Sequence, residues 1–420
     1  MIYLPTDIKL SLTKLFCDIK SEWRIKMKIV MLTLGSFPHE GGVSSHITEM
    51  KKALKAMGHE VMVISDNTHN KLRKIVKILI LPIRTISKSH YIYSAHKLMA
   101  WFSARVCSGI KCTDIIIANE PATATGITRN KKLRNIPKFL TMHSYFGIES
   151  KIDGKKVSDK LYKKILAYEN ECLKSINGIV CVDERIKEHV MQVLKKENIH
   201  ALDNKVKAIS NFTDTDRFKP VDKAVKKSLR KKYNINENRI ICLCARRLVE
   251  KNGVEYAVRA MEYLPDEFLL LIIGNGPEQD KIKELIKNKS LSEKILLLGG
   301  VSNENIDEFY KLSDISIVPS ITVLGLQEAT SITAIESMAC GIPTVVSEIG
   351  GLRQLVVDGE TGFFTEEKDF CGIAESISGL CKNPELYKKI SIKCRKYIEE
   401  NHSAYAAAKE YLKTYEDFLK

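Results

Sequence analysis

The sequence predicts two doubly wound, Rossmann-like α/β domains in tandem, and three observations carry that prediction. Apolar strand-like runs alternate with helical patterns through the first 180 or so residues, the pattern of a mostly parallel sheet covered on both faces. The alternation stops at a turn-rich passage, 211–220, that ends in Pro220, and then starts again. At 420 residues the chain is too long for one compact core and suits two domains of ordinary size.

Taken in order, residues 28–34 read as the first buried strand, 44–57 as a helix and 60–64 as the second strand, a β-α-β opening. Strands are expected at 114–118, 138–142 and 178–182, with a helical stretch over 160–174. The second series is expected at 240–244, 268–273, 295–298, 315–318 and 344–346. In the last helix, 403–420, Ala404, Ala408, Tyr411, Leu412, Tyr415 and Leu419 fall on roughly one face, which should pack back on the first domain. The expected domains are therefore 27–212, completed by 403–420, and 213–402; residues 1–26 are an extension without an assigned role, with Met27 as an alternative start.

Residues 1–26 lack the apolar stretch of a signal peptide, and no segment reaches membrane-spanning length. Eleven cysteines occur without C-x-x-C knuckles, which argues against zinc and suits a reducing cytoplasm. A net charge of +15 attracts phosphates, nucleic acid or an anionic membrane without choosing among them. Within 71–90, basic and apolar residues mix densely, so peripheral contact with an anionic inner membrane face is one expectation and an ordinary solvated segment the other.

The chemistry-bearing residues cluster at expected strand ends. After the first strand, Gly41 and Gly42 open a helix, where backbone N–H groups can approach a phosphate or sugar, although a strand-to-helix turn needs glycine for steric reasons just as often. Arg246, Arg247 and Lys251 follow a buried strand at the edge where nucleotides bind, and an arginine fork plus a lysine can neutralise a diphosphate. The turns at Gly274 and Gly276, and at Gly299, Gly300 and Val301, should line the same crevice. Glu328 and Glu336 are separated by seven residues; a helix over 330–339 would aim the N–H groups of Thr330, Ser331 and Ile332 at a phosphate, with Glu336 about two turns along. His143 ends a strand, and Asp214-Thr215-Asp216 reads as a structural turn rather than a metal site.

From Glu328 to Pro343 the residues fit E-x7-E-x-x-A-x-G-x-P, and the chain resembles glycosyltransferase family 4, the group 1 retaining transferases of GT-B fold. The likeness extends to 358–363, to Gly350-Gly351, to 211–220 and to the Gly41-Gly42 loop, so it covers most of the chain from Met27 onward. It implies two domains facing across a deep cleft and transfer of a hexosyl unit from a nucleoside diphosphate sugar, UDP-linked for preference, to a glycan or lipid-linked acceptor. Neither a metal nor another cofactor is obligatory. It further implies that Arg246 or Arg247, with Lys251, grips the diphosphate, that Glu328 contacts the sugar and Glu336 the ribose, and that His143 meets the sugar or the departing charge.

Four departures qualify the resemblance. Arg246 stands where a glycine commonly precedes the arginine, and Asn252 separates Lys251 from Gly253. Ala329-Thr330-Ser331-Ile332 replaces Gly-Phe-Gly after the first glutamate, and Ser144 replaces an acid after His143. The rival readings are a same-fold epimerase or phosphorylase and a basic nucleic-acid-binding protein. The latter has no motif with interleaved aromatics behind it, so nucleic acid is not an expected partner.

Overall fold

The computed structural model describes residues 26–38, 42–68, 78, 82–83, 88–145, 147, 157–325 and 327–420. The expectations for the 1–26 extension (bar Lys26), for Gly41 and for most of the basic segment 71–90 lie outside the described residues.

Strands form where the apolar runs were expected: the central runs are buried on both sides, as a covered parallel sheet requires, while the edge runs at 60–64 and 295–299 keep exposed positions. The first sheet contains β1 (Lys28–Leu32), β2 (Glu60–Ile64), β3 (Ile115–Ala118), β4 (Lys138–Met142), β5 (Gly178–Cys181) and β6 (Val206–Ala208) in the order β2-β1-β3-β4-β5-β6. The second contains β7 (Ile240–Ala245), β8 (Phe268–Ile273), β9 (Ile295–Gly299), β10 (Ile315–Val318), β11 (Thr344–Ser347) and β12 (Phe363–Thr365) in the order β12-β11-β10-β7-β8-β9. Every strand pair in both sheets is parallel. The three-residue edge strands β6 and β12 escaped the sequence reading, since so short a run carries too little periodicity to register.

Successive side chains serve opposite faces of each sheet. In the first, Ile29, Met31, Phe139 and Val180 pack against the Gly42–Ala56 helix and the last helix, whereas Val30, Leu32, Leu140 and Cys181 face the helices on the other side. In both sheets strand order reverses between neighbours, at β1/β3 and at β7/β10, leaving a crevice beyond the carboxyl ends of the strands.

The last helix, Ala404–Leu419, returns to the first sheet, as its apolar face foretold. The Tyr415 ring stacks on Phe139 at 4.1 Å between centroids. A Cβ at Gly178 would lie 2.1 Å from the Phe418 ring, so β5 needs glycine there for the helix to dock. Leu419, assigned to that face by periodicity, is exposed, and Phe418 is buried in its stead. The hand-over is held by Thr213 N donating to His402 O (3.0 Å) and Ala404 N donating to Thr213 O (2.8 Å). Among the described residues no helix is long and apolar enough to cross a membrane.

Candidate active site

A cleft of about 760 Å3 opens between the carboxyl ends of the two sheets, and each switch point supplies one wall.

The wall from the second sheet is built around Arg246, the first residue after β7. Its side chain is buried, and its guanidinium reaches across the switch point to the segment after β10. Nη2 donates to Asn252 Oδ1 (2.7 Å), Glu328 Oε2 (2.8 Å) and Ser320 Oγ (2.9 Å), while Nη1 donates to Ser331 Oγ (2.9 Å) and Thr333 Oγ1 (3.2 Å). Burial alone would raise the Glu328 pKa, but the charges of Arg246 and Lys251 and the hydrogen bonds from Arg246 and Ser320 outweigh it and hold the group below the usual glutamate value. Arg247 is exposed, Lys251 half-buried, and both line the cleft. Neither has an ion-pair partner among the described residues.

Glycines let the neighbouring turn close on this wall. At Gly274 (φ 137°) an added Cβ would sit 2.1 Å from the Arg246 carbonyl oxygen, and at Gly276 the same distance from that of Leu248. Gly274, with Gly300 and Val301 after β9, lines the cleft; Gly276 does not.

The helix carrying the second glutamate is Ile332–Ala339, shorter than the sequence suggested. Glu336 therefore lies little more than one turn in, not two. Thr330 lines the cleft but its hydroxyl donates to Val182 O of the first domain (3.1 Å), and Ser331, engaged by Arg246, is outside the lining. Ile332 and Thr333 are the first-turn residues at the cleft, with N–H groups that no helix carbonyl can satisfy. Glu336 accepts a hydrogen bond from Tyr310 Oη (2.8 Å); burial pushes its pKa up to about 7, against the lowering effects of Tyr310 and Arg217.

The opposite wall brings the carboxylates of Glu120 and Glu169 and the ring of His143 to the cleft. Glu120, just beyond β3, accepts hydrogen bonds from Thr33 Oγ1 (2.6 Å) and Leu34 N (3.2 Å), which fixes the loop after β1. His143, after β4, lies 3.3 Å from Asn119 Oδ1 through Nε2 and meets His46 edge-on at 4.7 Å. Burial lowers the His46 pKa to about 4, and burial plus His46 lowers that of His143 well below the ordinary value, so both rings are neutral at pH 7. Gly42 begins its helix at the cleft, where a Cβ would make ordinary contact with Ile332 at 3.6 Å.

Two further straps, besides the Thr330 hydroxyl on Val182, join the walls. His46 Nδ1 lies 3.3 Å from Asn211 Oδ1, and Asn211 Nδ2 donates to Thr330 O (2.8 Å). Arg185, paired with Asp183 (2.8 Å), donates to the Glu328 carbonyl, and a Cβ on Gly350 (φ 52°) would clash with both of these groups. Sequence reasoning missed Arg185, His46, Asn119, Glu120 and Tyr310, which sit in otherwise unremarked stretches and gain meaning only from tertiary contact. Asp214 Oδ1 caps its own turn, accepting from Asp216 N (3.0 Å) and Arg217 N (3.1 Å). Among the described residues no group of three His, Cys, Asp or Glu side chains is placed to hold a metal ion.

Two facing doubly wound sheets with a polar cleft between their switch points make a GT-B architecture. Family models for glycosyl transferases group 1 and for glycosyltransferase family 4 match residues 225–397 and 40–217 respectively. The chain belongs to the group 1 glycosyltransferases of family 4 and is a glycosyltransferase. It is 23% identical over 390 residues to N-acetyl-alpha-D-glucosaminyl L-malate synthase of Bacillus anthracis, covering 91% of this chain and 96% of that protein. In structure it is similar to Anabaena HepE in complex with UDP (TM-score 0.68, 17% identity, 93% of this chain and 100% of that one). It is similar too to sucrose-phosphate synthase of Thermosynechococcus elongatus (TM-score 0.70, 18% identity, 94% and 99%).

Proposed function

We propose that the protein transfers a hexosyl unit from a nucleoside diphosphate sugar, a UDP-sugar in the first instance, to an acceptor hydroxyl with retention of anomeric configuration. The observation that carries this reading is that two cations without ion-pair partners among the described residues, Arg247 and Lys251, line the same cleft as the amino end of the Ile332–Ala339 helix and the carboxylate of Glu336. UDP in the HepE complex supports the choice of donor class. The donor belongs to the domain 213–402 and the acceptor to 27–212, which 403–420 completes.

As the anomeric C–O bond to the diphosphate breaks and the bond to the acceptor oxygen forms, negative charge grows on the leaving group. Arg247, Lys251 and the N–H groups of Ile332 and Thr333 meet that charge, and they lower the barrier because they act more strongly on the transition state than on the bound donor. Arg246 has a different task, since its Nη donors are already committed inside the wall: it positions Glu328 against the sugar hydroxyls. Glu336 accepts from the ribose hydroxyls, and neutral His143 approaches the sugar from the opposite wall.

The acceptor is a glycan or lipid-linked saccharide of polysaccharide, glycan or glycolipid synthesis, handled at the cytoplasmic membrane face with 71–90 touching anionic lipid. The arrangement needs no metal, and turnover is expected to persist in EDTA. A thermal-shift panel of UDP, GDP, ADP and their sugars tests the donor reading, because a ligand of the folded state raises its stability. A clear shift with one nucleotide, followed by acceptor-dependent release of that nucleotide, supports the proposal; no shift with any of them contradicts it.

A further inference from the structure

Beside the main cleft, on the first domain, lies a second concavity of about 450 Å3, within the size range of ligand sites. Tyr93 and Tyr168 line both spaces, so the two are immediate neighbours. Its wall is one stripe of the Lys88–Cys107 helix: Tyr93, Lys97 and Trp101 follow at intervals of four and share a face. The other side carries Gly126, Arg129 and Tyr168. A Cβ at Gly126 would lie 2.4 Å from the Ala100 carbonyl oxygen, so glycine is what lets the two helices approach closely here.

Two features of this pocket are open to a ligand. Trp101 is 60% exposed, which leaves much of a large apolar ring bare at the rim of the pocket. Lys97 holds its ammonium 5.3 Å from both the Tyr93 and the Tyr168 ring centroids, yet has no ion-pair partner among the described residues. Arg129 is unlike it, being forked onto Glu171 with Nε at 2.7 Å from Oε1. The pocket therefore offers a flat aromatic face and a cation that meets the Glu171 carboxylate only at longer range and whose N–H donors have no hydrogen-bond acceptor among the described residues. An aromatic face suits the C–H face of a sugar ring, and the ammonium suits an anion. A concave site beside the main cleft fits a discrete ligand better than a bilayer surface, which cannot enter it.

We infer that this pocket is an acceptor subsite for an anionic saccharide unit, with the sugar ring on Trp101 and its phosphate or carboxylate at Lys97. The inference rests on the reading above that the first domain receives the acceptor. It extends that reading by naming the acceptor's chemistry.

The chain has two tryptophans, so Trp23→Phe leaves Trp101 as the sole indole reporter. In that background Trp101 fluorescence is titrated with glucose, glucose 6-phosphate, glucuronate, inorganic phosphate and phosphatidylglycerol vesicles. The subsite predicts saturation by glucose 6-phosphate, glucuronate or both at concentrations at least about tenfold below glucose, a preference that Lys97→Gln abolishes and Lys97→Arg largely keeps. A response to glucose 6-phosphate alone assigns the anion as phosphate, and to glucuronate alone as carboxylate. Equal response to neutral and charged sugars, equal response to inorganic phosphate and glucose 6-phosphate, indifference to Lys97→Gln, or a response to vesicles alone overturns the inference. A UDP-sugar thermal shift on the unaltered protein reports the donor reading separately: a shift with Trp101 silent defeats only the subsite, and no shift with Trp101 responding defeats only the donor assignment.

Discussion

The two switch points of this molecule have the same topology and opposite electrostatics. At β1/β3 the carboxylate of Glu120 is satisfied by a threonine hydroxyl and a backbone N–H, and the nearby imidazoles are held neutral by burial. At β7/β10 the carboxylate of Glu328 is satisfied by a guanidinium, with two more cations beside it. A carboxylate fixed by dipoles leaves a wall able to meet neutral hydroxyls, whereas one fixed by an arginine, with cations to spare, leaves a wall able to take a diphosphate. Fold alone does not choose between these; the two or three residues after each strand do.

The sharpest way to break this contrast is at Arg246. Arg246→Ala would leave Glu328 without its partner in a buried wall, and a loss of about 3–5 kcal/mol of stability, read by urea unfolding, is expected together with loss of turnover. A variant of native stability would mean that the wall does not depend on the pair. Arg247→Ala and Lys251→Ala should do the reverse, keeping native stability and lowering kcat by roughly two to three orders of magnitude. Should Arg246 and Arg247 variants behave alike, the separation of positioning residue from phosphate ligand is lost.

Glu336 sharpens the comparison through pH. Its pKa is raised in the folded state to about 7, so its contribution to stability is complete below the unfolded value near 4.5 and is lost as pH rises through 7. Glu336→Gln should therefore be more stable than the unaltered protein at pH 8, by up to about 3 kcal/mol, because each tenfold change in proton affinity is worth about 1.4 kcal/mol, and the gap should close by about pH 4.5. Glu328 has the opposite sign: its pKa is lowered, so its contribution is present above 4.5 and lost as pH falls below. If Glu336 accepts from the ribose as a carboxylate, UDP affinity should also rise as pH passes 7 and weaken roughly tenfold in Glu336→Gln. The smallest effect is expected at the histidines of the first domain. Because His143 stays uncharged across the range, kcat should show no histidine inflection near pH 6.5, and an inflection there that vanishes in His143→Gln would refute the assignment of a neutral ring.

Much of this was legible in the sequence. Long, doubly buried strands such as β4 and β8 announce themselves as unbroken apolar runs, and the Glu328 to Pro343 pattern marks the cleft wall of the second domain. What the letters could not settle was which way a side chain turns. Arg246 and Arg247 are adjacent and alike in charge, yet the strand end sends one into the wall and the other to the cleft. Arg185 looks like any polar residue in the first turn of an amphipathic helix, and becomes an interdomain strap only because Gly350 lets the Glu328 carbonyl approach it. Phe418 and Leu419 differ by one position on the last helix, and packing against Gly178 decides between them.

The central claim is tested most directly by a crystal structure of the protein with UDP. The account predicts diphosphate oxygens within about 3 Å of Arg247, Lys251 and the N–H groups of Ile332 and Thr333, the ribose at Glu336, and Arg246 still paired with Glu328. A diphosphate held by Arg246, with Glu328 released, or a nucleotide bound away from the β7/β10 crevice, would contradict it.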